Sequence, residues 1–83
     1  MVYWQKFSAD QFEYEFDEEE LGGHGVTVDE VIELIWNGFD VSRNNRNRGG
    51  YQLVGRTNGG RRLKVIVYEK RRGLIRVITG WDL

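Results

Sequence analysis

The chain has 83 residues, no cysteine and a formal net charge of −1. Its length is that of one domain, residues 1–83, and a domain this small buries only about 60–65% of its unfolded surface, so packing alone holds a modest core. Without cysteine, neither a disulfide framework nor a thiolate zinc site is available. No apolar run approaches the roughly 18 residues of a membrane span and no signal peptide is visible, so the expectation is a cytoplasmic protein with no membrane partner.

The near-zero net charge hides a split. Residues 1–40 carry eleven acids against Lys6, a net −10, whereas residues 41–83 carry eleven bases against Glu69 and Asp82, a net +9. Such asymmetry points either to a charged partner for one half or to halves that neutralise each other in the fold.

In chain order, residues 2–7 form a short aromatic run that reads as an edge strand. Ser8 to Gln11 fits a capping box, with Phe7 and Phe12 as its hydrophobic staple, and so predicts a helix. Phe12 and Phe16, four apart, share a face of it, and Asp10 and Glu13 suit its N-terminus. Glu18, Glu19 and Glu20 read as a solvated face, and Gly22-Gly23 ends the helix. After the His24-Gly25 turn, Thr27 to Glu30 forms a second capping box with Val26 and Val31 as staple. Val28, Val31, Ile32, Ile35 and Phe39 then follow the spacing of a buried helical face, with Asp29, Glu30 and Glu33 towards water and Gly38 as the cap. Residues 40–50 read as a long polar connection in which Arg43, Arg46 and Arg48, among asparagines, are candidates for RNA contact; a soluble loop is the plainer alternative.

Three runs rich in β-branched and aromatic residues follow, at 51–56, 63–68 and 74–79, divided by Asn58-Gly59-Gly60 and by residues 70–73. They predict an antiparallel meander. The odd positions are the more apolar: Tyr51, Leu53, Leu63, Val65, Val67, Ile75, Val77 and Trp81. With these on the core, Gln52, Val54, Arg56, Lys64, Ile66, Tyr68, Arg76 and Ile78 share the other face. Matching odd with odd across a hairpin requires an odd-numbered loop or a bulge. The order is β-α-α-β-β-β, an α+β fold: an antiparallel sheet with two helices packed on one face and the first strand at an edge.

The chemistry narrows by elimination. His24 is the only histidine, so no metal site is expected, and no phosphate-binding glycine loop or nucleophile–histidine pair is present. No cofactor is implied. What stands out is the basic, aromatic sheet face. RNA can be cleaved without a metal when its 2′-hydroxyl attacks the adjacent phosphate, provided the protein orients the attack and stabilises the phosphorane. Arg56, Lys64, Tyr68 and Arg76 have suitable chemistry. Phosphate binding without catalysis uses the same residues.

His24-Gly-Val-Thr-Val-Asp-Glu-Val31, Gly49-Gly-Tyr-Gln-Leu-Val-Gly-Arg-Thr57, Gly60-Arg-Arg-Leu-Lys-Val-Ile-Val67 and Ile75-Arg-Val-Ile-Thr79 together resemble the BrnT-like toxins of toxin–antitoxin pairs, within the RelE/ParE-like fold. The resemblance covers roughly residues 16–82. It implies a RelE/BrnT-like domain, a metal-independent endoribonuclease that inhibits translation, with RNA or the ribosome as target and a cognate antitoxin as partner. By position it carries His24, Arg56 and Arg76 into the site, although a histidine at a helix C-terminus also serves simply as a cap. Two alternatives stand beside it: a non-catalytic RNA- or protein-binding module using the same face, and a homodimer joined through Trp36, Phe39 or Trp81.

Overall fold

The computed structural model describes residues 2–44, 46 and 49–83. They form a five-stranded mixed sheet and two α-helices, an α+β arrangement. In chain order these are β1 (Glu13–Phe16), α1 (Glu18–Gly23), α2 (Val28–Asn37), β2 (Phe39–Asn44), β3 (Gly50–Arg56), β4 (Arg62–Arg71) and β5 (Leu74–Asp82). The sheet order is β1-β5-β4-β3-β2. All pairs are antiparallel except β1 with β5, which is parallel.

The N-terminal quarter departs from the sequence expectation. Residues 4–6 and 9–11 are single 3₁₀ turns, with no strand over 2–7. Ser8 makes no capping bond to the backbone; its hydroxyl is spent on the Asp10 carboxylate. Where the first helix was expected, Glu13-Tyr-Glu-Phe16 is a strand. Its residues alternate, with Tyr14 and Phe16 packed on the core and Glu13 and Glu15 turned away, and this period-two pattern prevails over the capping signal. The staple residues Phe7 and Phe12 do meet, as stacked rings with centroids 5.1 Å apart. The first strand occupies a sheet edge, as expected, but with different residues.

Helix α1 is correspondingly short. Asp17 caps it by accepting from the Glu20 amide at 3.1 Å. Helix α2 follows its prediction closely. Thr27 Oγ1 accepts from the Glu30 amide and Glu30 Oε1 accepts from the Thr27 amide, both at 3.1 Å, which completes the capping box. Its buried stripe is Val31, Leu34 and Ile35, whereas Ile32 is exposed. Close approach of α2 to the sheet depends on Gly55: a Cβ there would lie 3.0 Å from both Gly38 O and Leu34 Cγ.

The expected connection over 40–50 is also mostly strand. Phe39 and Val41 pack on the core while Asp40 and Ser42 face away, and all six residues of β2 pair with β3. Both helices lie on one face of the sheet, closing over Leu53, Leu63, Val65, Val67, Ile75 and Val77. Trp4, Phe7, Phe39 and Tyr51 extend that core as an aromatic cluster with ring centroids 5.1–5.7 Å apart.

The register follows the odd-with-odd rule by two different devices. Between β3 and β4, Thr57 N donates to Arg61 O at 2.9 Å, enclosing the three-residue loop Asn58-Gly59-Gly60, with Gly60 at φ +86°. Between β4 and β5 the turn at Arg72-Gly73 spans two residues, and a bulge at Lys70 restores the match, so that Val67 faces Val77. A second bulge at Ile78 then inverts it. Beyond that point Thr79 pairs with Ile66 and Trp81 with Lys64, so Trp81 leaves the core face that the odd-position reading gave it.

The charge split is resolved in part internally. Glu15 accepts from Lys70 Nζ at 3.0 Å and from Arg76, and Glu13 lies 3.6 Å from Arg71. Arg61 joins three elements: it meets both Glu30 carboxylate oxygens at 2.8 and 2.9 Å, Gly25 O at 3.0 Å, and Asp82.

Candidate functional site

The sheet face away from the helices is built in cross-strand rows. One row reads Asp40, Val54, Lys64, Trp81; the next Ser42, Gln52, Ile66, Thr79; the next Asn44, Gly50, Tyr68, Arg76, Glu15. Side chains opposite one another in a row stand about 5 Å apart at Cβ, so each row is a contact set. The middle of this face is partly dry: Ile66 is 2% exposed although it points away from the helices.

A shallow concavity of about 440 Å³ opens here, lined by Arg43, Asn44, Arg46, Gln52, Lys64, Ile66 and Trp81. Ile66 is its floor and the Trp81 indole one wall. Lys64, Arg43 and Arg46 supply positive charge, and none of the three is ion-paired with a described residue. The register assigns Arg43 to the helix side with Val41 and Tyr51, so Arg43 borders the concavity at the sheet edge. The Arg46 amide donates to Asn44 Oδ1 at 3.0 Å.

The expected residues divide into three places. Lys64 lines the concavity, and His24 adjoins it, its ring 6.0 Å from that of Trp81. His24 also follows α1 as its C-cap residue, and its Nε2 lies 3.3 Å from Glu20 Oε1. Glu20 Oε1 in turn accepts from Thr79 Oγ1 at 3.1 Å. Tyr68 and Arg76 are direct partners one row further on, but Arg76 is engaged by Glu15 and lies 3.9 Å from Asp17 Oδ2. Arg56 sits at the other end of the sheet. Its partner on β4 is Arg62, six residues from Tyr68, which puts Arg56 and Arg76 about 20 Å apart along the strand. The two arginines share a face but not a pocket. Arg43 and Arg46 border the concavity, and Arg48 lies outside the described residues.

Trp81 is the site residue that alternation missed. The signal that places it is the register offset at Ile78, which no run of apolar residues announces. The electrostatics mark the structural charges instead. Hydrogen bonds from Lys70 and then Arg76 hold the Glu15 carboxyl below the usual carboxylate range. The Arg61 guanidinium does the same to Glu30. The Tyr14 phenol, whose hydroxyl donates to Ala9 O at 2.7 Å, is pushed up to about 12 by burial and by the nearby Asp10 carboxylate. Among the described residues no three His, Asp or Glu side chains converge as metal ligands, and no helix is long and apolar enough to cross a membrane.

The arrangement can take an anionic, planar-based polymer: cations for phosphates, an indole face for stacking, and the amide of Gln52 for hydrogen bonds. Comparison with family models, with curated proteins and with solved structures found no match for the chain.

Proposed function

We propose that this protein binds single-stranded RNA across the outer sheet face. Lys64, Arg43 and Arg46 contact phosphates, Trp81 stacks on a base, and Gln52 hydrogen-bonds to base or sugar. The observation that carries the reading is the concavity itself, where cations without described ion pairs surround an indole and an apolar floor. A scaffold face needs no such combination, whereas stacking plus phosphate contact is the general solution for single strands. The preference for RNA over DNA rests on the resemblance to RelE/ParE-like toxins.

The test is titration of a fluorescently labelled single-stranded RNA, followed by anisotropy, over a salt series. Three phosphate contacts give a slope of log K against log salt of about −2. Lys64→Ala reduces that slope by about 0.7, and Trp81→Ala weakens binding with the slope unchanged. Binding that is absent at low salt, or indifferent to both substitutions, removes the proposal.

The second reading is the endoribonuclease of a BrnT-like toxin, inhibiting translation and neutralised by a cognate antitoxin. The position of His24 favours it, because an imidazole beside Trp81 adjoins the cation-lined concavity. There His24 acts as the proton-transfer group and Lys64 stabilises the phosphorane. Arg76 is compromised for that task by Glu15, and Arg56 by distance. Attack by the 2′-hydroxyl, which gives up its proton, breaks the P–O5′ bond; the 5′-oxygen leaves as a hydroxyl on the 3′ product, and the 5′ product keeps a 2′,3′-cyclic phosphate. Detection of that end with the wild type, and its loss in His24→Ala with RNA binding retained, separates cleavage from binding alone.

A further inference from the structure

At two places in the sheet, charged residues are direct cross-strand partners. In one, Glu15 faces Arg76 and accepts a hydrogen bond from it. In the other, Arg56 of β3 faces Arg62 of β4, in the row next after Lys64 and Trp81 on the same outer face. Side chains so placed stand about 5 Å apart at Cβ, and like charges there are destabilising. Both arginines are exposed, and neither is ion-paired with a described residue. The acid nearest by register, Asp40, lies diagonal to Arg56 across β2 and bridges to neither. Arg56 Nη1 donates to Gly60 O at 3.5 Å, a long and weak bond. The backbone beneath the pair is held on both sides. Thr57 N bonds to Arg61 O at 2.9 Å one step beyond it, and Leu83 N donates to Arg62 O at 3.1 Å from the β5 side.

We propose that Arg56 and Arg62 together clamp one phosphate, as a second phosphate subsite of the RNA-binding face. The proposal rests on the RNA-binding reading and extends it by one row. Two guanidiniums that repel each other in the empty protein both gain from an anion between them, and the oxygens of a phosphate accept from both planar forks. Adjacent rows on one face are two residues of strand apart, about 7 Å. Lys64 and the arginine pair therefore hold neighbouring phosphates of one extended strand, with Trp81 stacking beside them. The RNA runs along β4, from the concavity towards the β3–β4 loop. Continuity with the indole and the concavity, more than charge alone, selects a nucleic acid for this row. Arg76, at the far end of the same face, takes no part because Glu15 already engages it.

Two labelled single-stranded RNAs test this by anisotropy over a salt series, one just long enough for the concavity and one that also reaches the arginine row. The longer RNA binds about tenfold tighter, and its slope of log K against log salt is steeper by about 0.7. In the double variant Arg56→Gln, Arg62→Gln, with far-ultraviolet circular dichroism unchanged, that advantage vanishes while the short RNA binds as it does to wild type. Pyrophosphate probes the pair without RNA. The Nε–H resonances of Arg56 and Arg62 shift together, that of Arg72, exposed in the β4–β5 turn, does not, and Arg62→Gln abolishes the response of Arg56. A longer RNA that gains nothing, while the short one still depends on Lys64 and Trp81, overturns the subsite and leaves the concavity reading intact. RNAs indifferent to Lys64→Ala and Trp81→Ala, beside an intact pyrophosphate response, overturn the concavity reading and leave the pair as a phosphate site. Arginines silent to pyrophosphate overturn the clamp itself.

Discussion

The two faces of this sheet are made from the same alternating strands but hold together by different means. On the helix side, Leu53, Leu63, Val65, Val67 and Val77 are almost fully removed from water beneath Leu21, Val31, Leu34 and Ile35. Among the described residues no helix covers the other side. There Ile66 is just as buried, in a row between Gln52 and Thr79 and beside Lys64 and Tyr68 on its own strand. The first face is closed by another layer and the second by the long side chains that could also hold a ligand. Stability and binding are thus expected to separate by face.

Substitutions on the two faces test that separation. The largest effect belongs to the helix side: Leu34→Ala removes a fully buried side chain where α2 meets Gly55 and should cost about 3 kcal/mol or more in urea unfolding, with RNA affinity of the folded fraction unchanged. Gly55→Ala should cost about 1–3 kcal/mol, because α2 must move to admit the methyl group. Trp81→Ala should show the reverse pattern. Its stability loss is expected to stay below about 1 kcal/mol while RNA binding weakens by about 1–3 kcal/mol, read by anisotropy. Ile66→Ala joins the two faces and should lower both quantities; a purely scaffold role leaves affinity untouched.

The smallest effects are those of pH. The carboxyls of Glu15 and Glu30 are lowered in the fold, so their contribution is present above the ordinary value of 4.5 and is lost as pH falls below it. Tyr14 behaves in the opposite sense. Its phenol is raised, so the fold is undisturbed below pH 10 and loses stability as pH climbs towards about 12. Below pH 10 the melts of wild type and Tyr14→Phe should differ by a constant amount, set by the lost hydrogen bond to Ala9 O, and above pH 10 only the wild type should lose further stability.

Local signals carried α2 and the β3–β4 hairpin well. The Thr27–Glu30 capping box, the Gly38 cap and the Asn58-Gly59-Gly60 loop are short-range devices that a few residues specify, and each is present. The N-terminal quarter read wrongly for a physical reason. Ser8 to Gln11 offers a helix start, but the following Glu13-Tyr-Glu-Phe16 can bury Tyr14 and Phe16 only as a strand beside β5, a parallel partner about sixty residues away. Strand β2 was hidden in the same way, because the Phe39/Val41 alternation gains its meaning from Tyr51, Leu53 and Gly55 opposite. In the site, Lys64 and Gln52 were legible from alternation. The separation of Arg56 from Arg76 was not, since both fit the same face and only the pairing fixes how far apart they lie.

The offset at Ile78 has a consequence for how this surface could be gained or lost. Excising that single surplus residue would leave Val77, Thr79, Gly80 and Trp81 in plain alternation opposite the same four residues of β4, with the indole still on the outer face. A one-codon deletion erases the stacking platform only further along: loss of Gly80 would set Trp81 opposite Val65 on the helix side while leaving every contact residue still encoded.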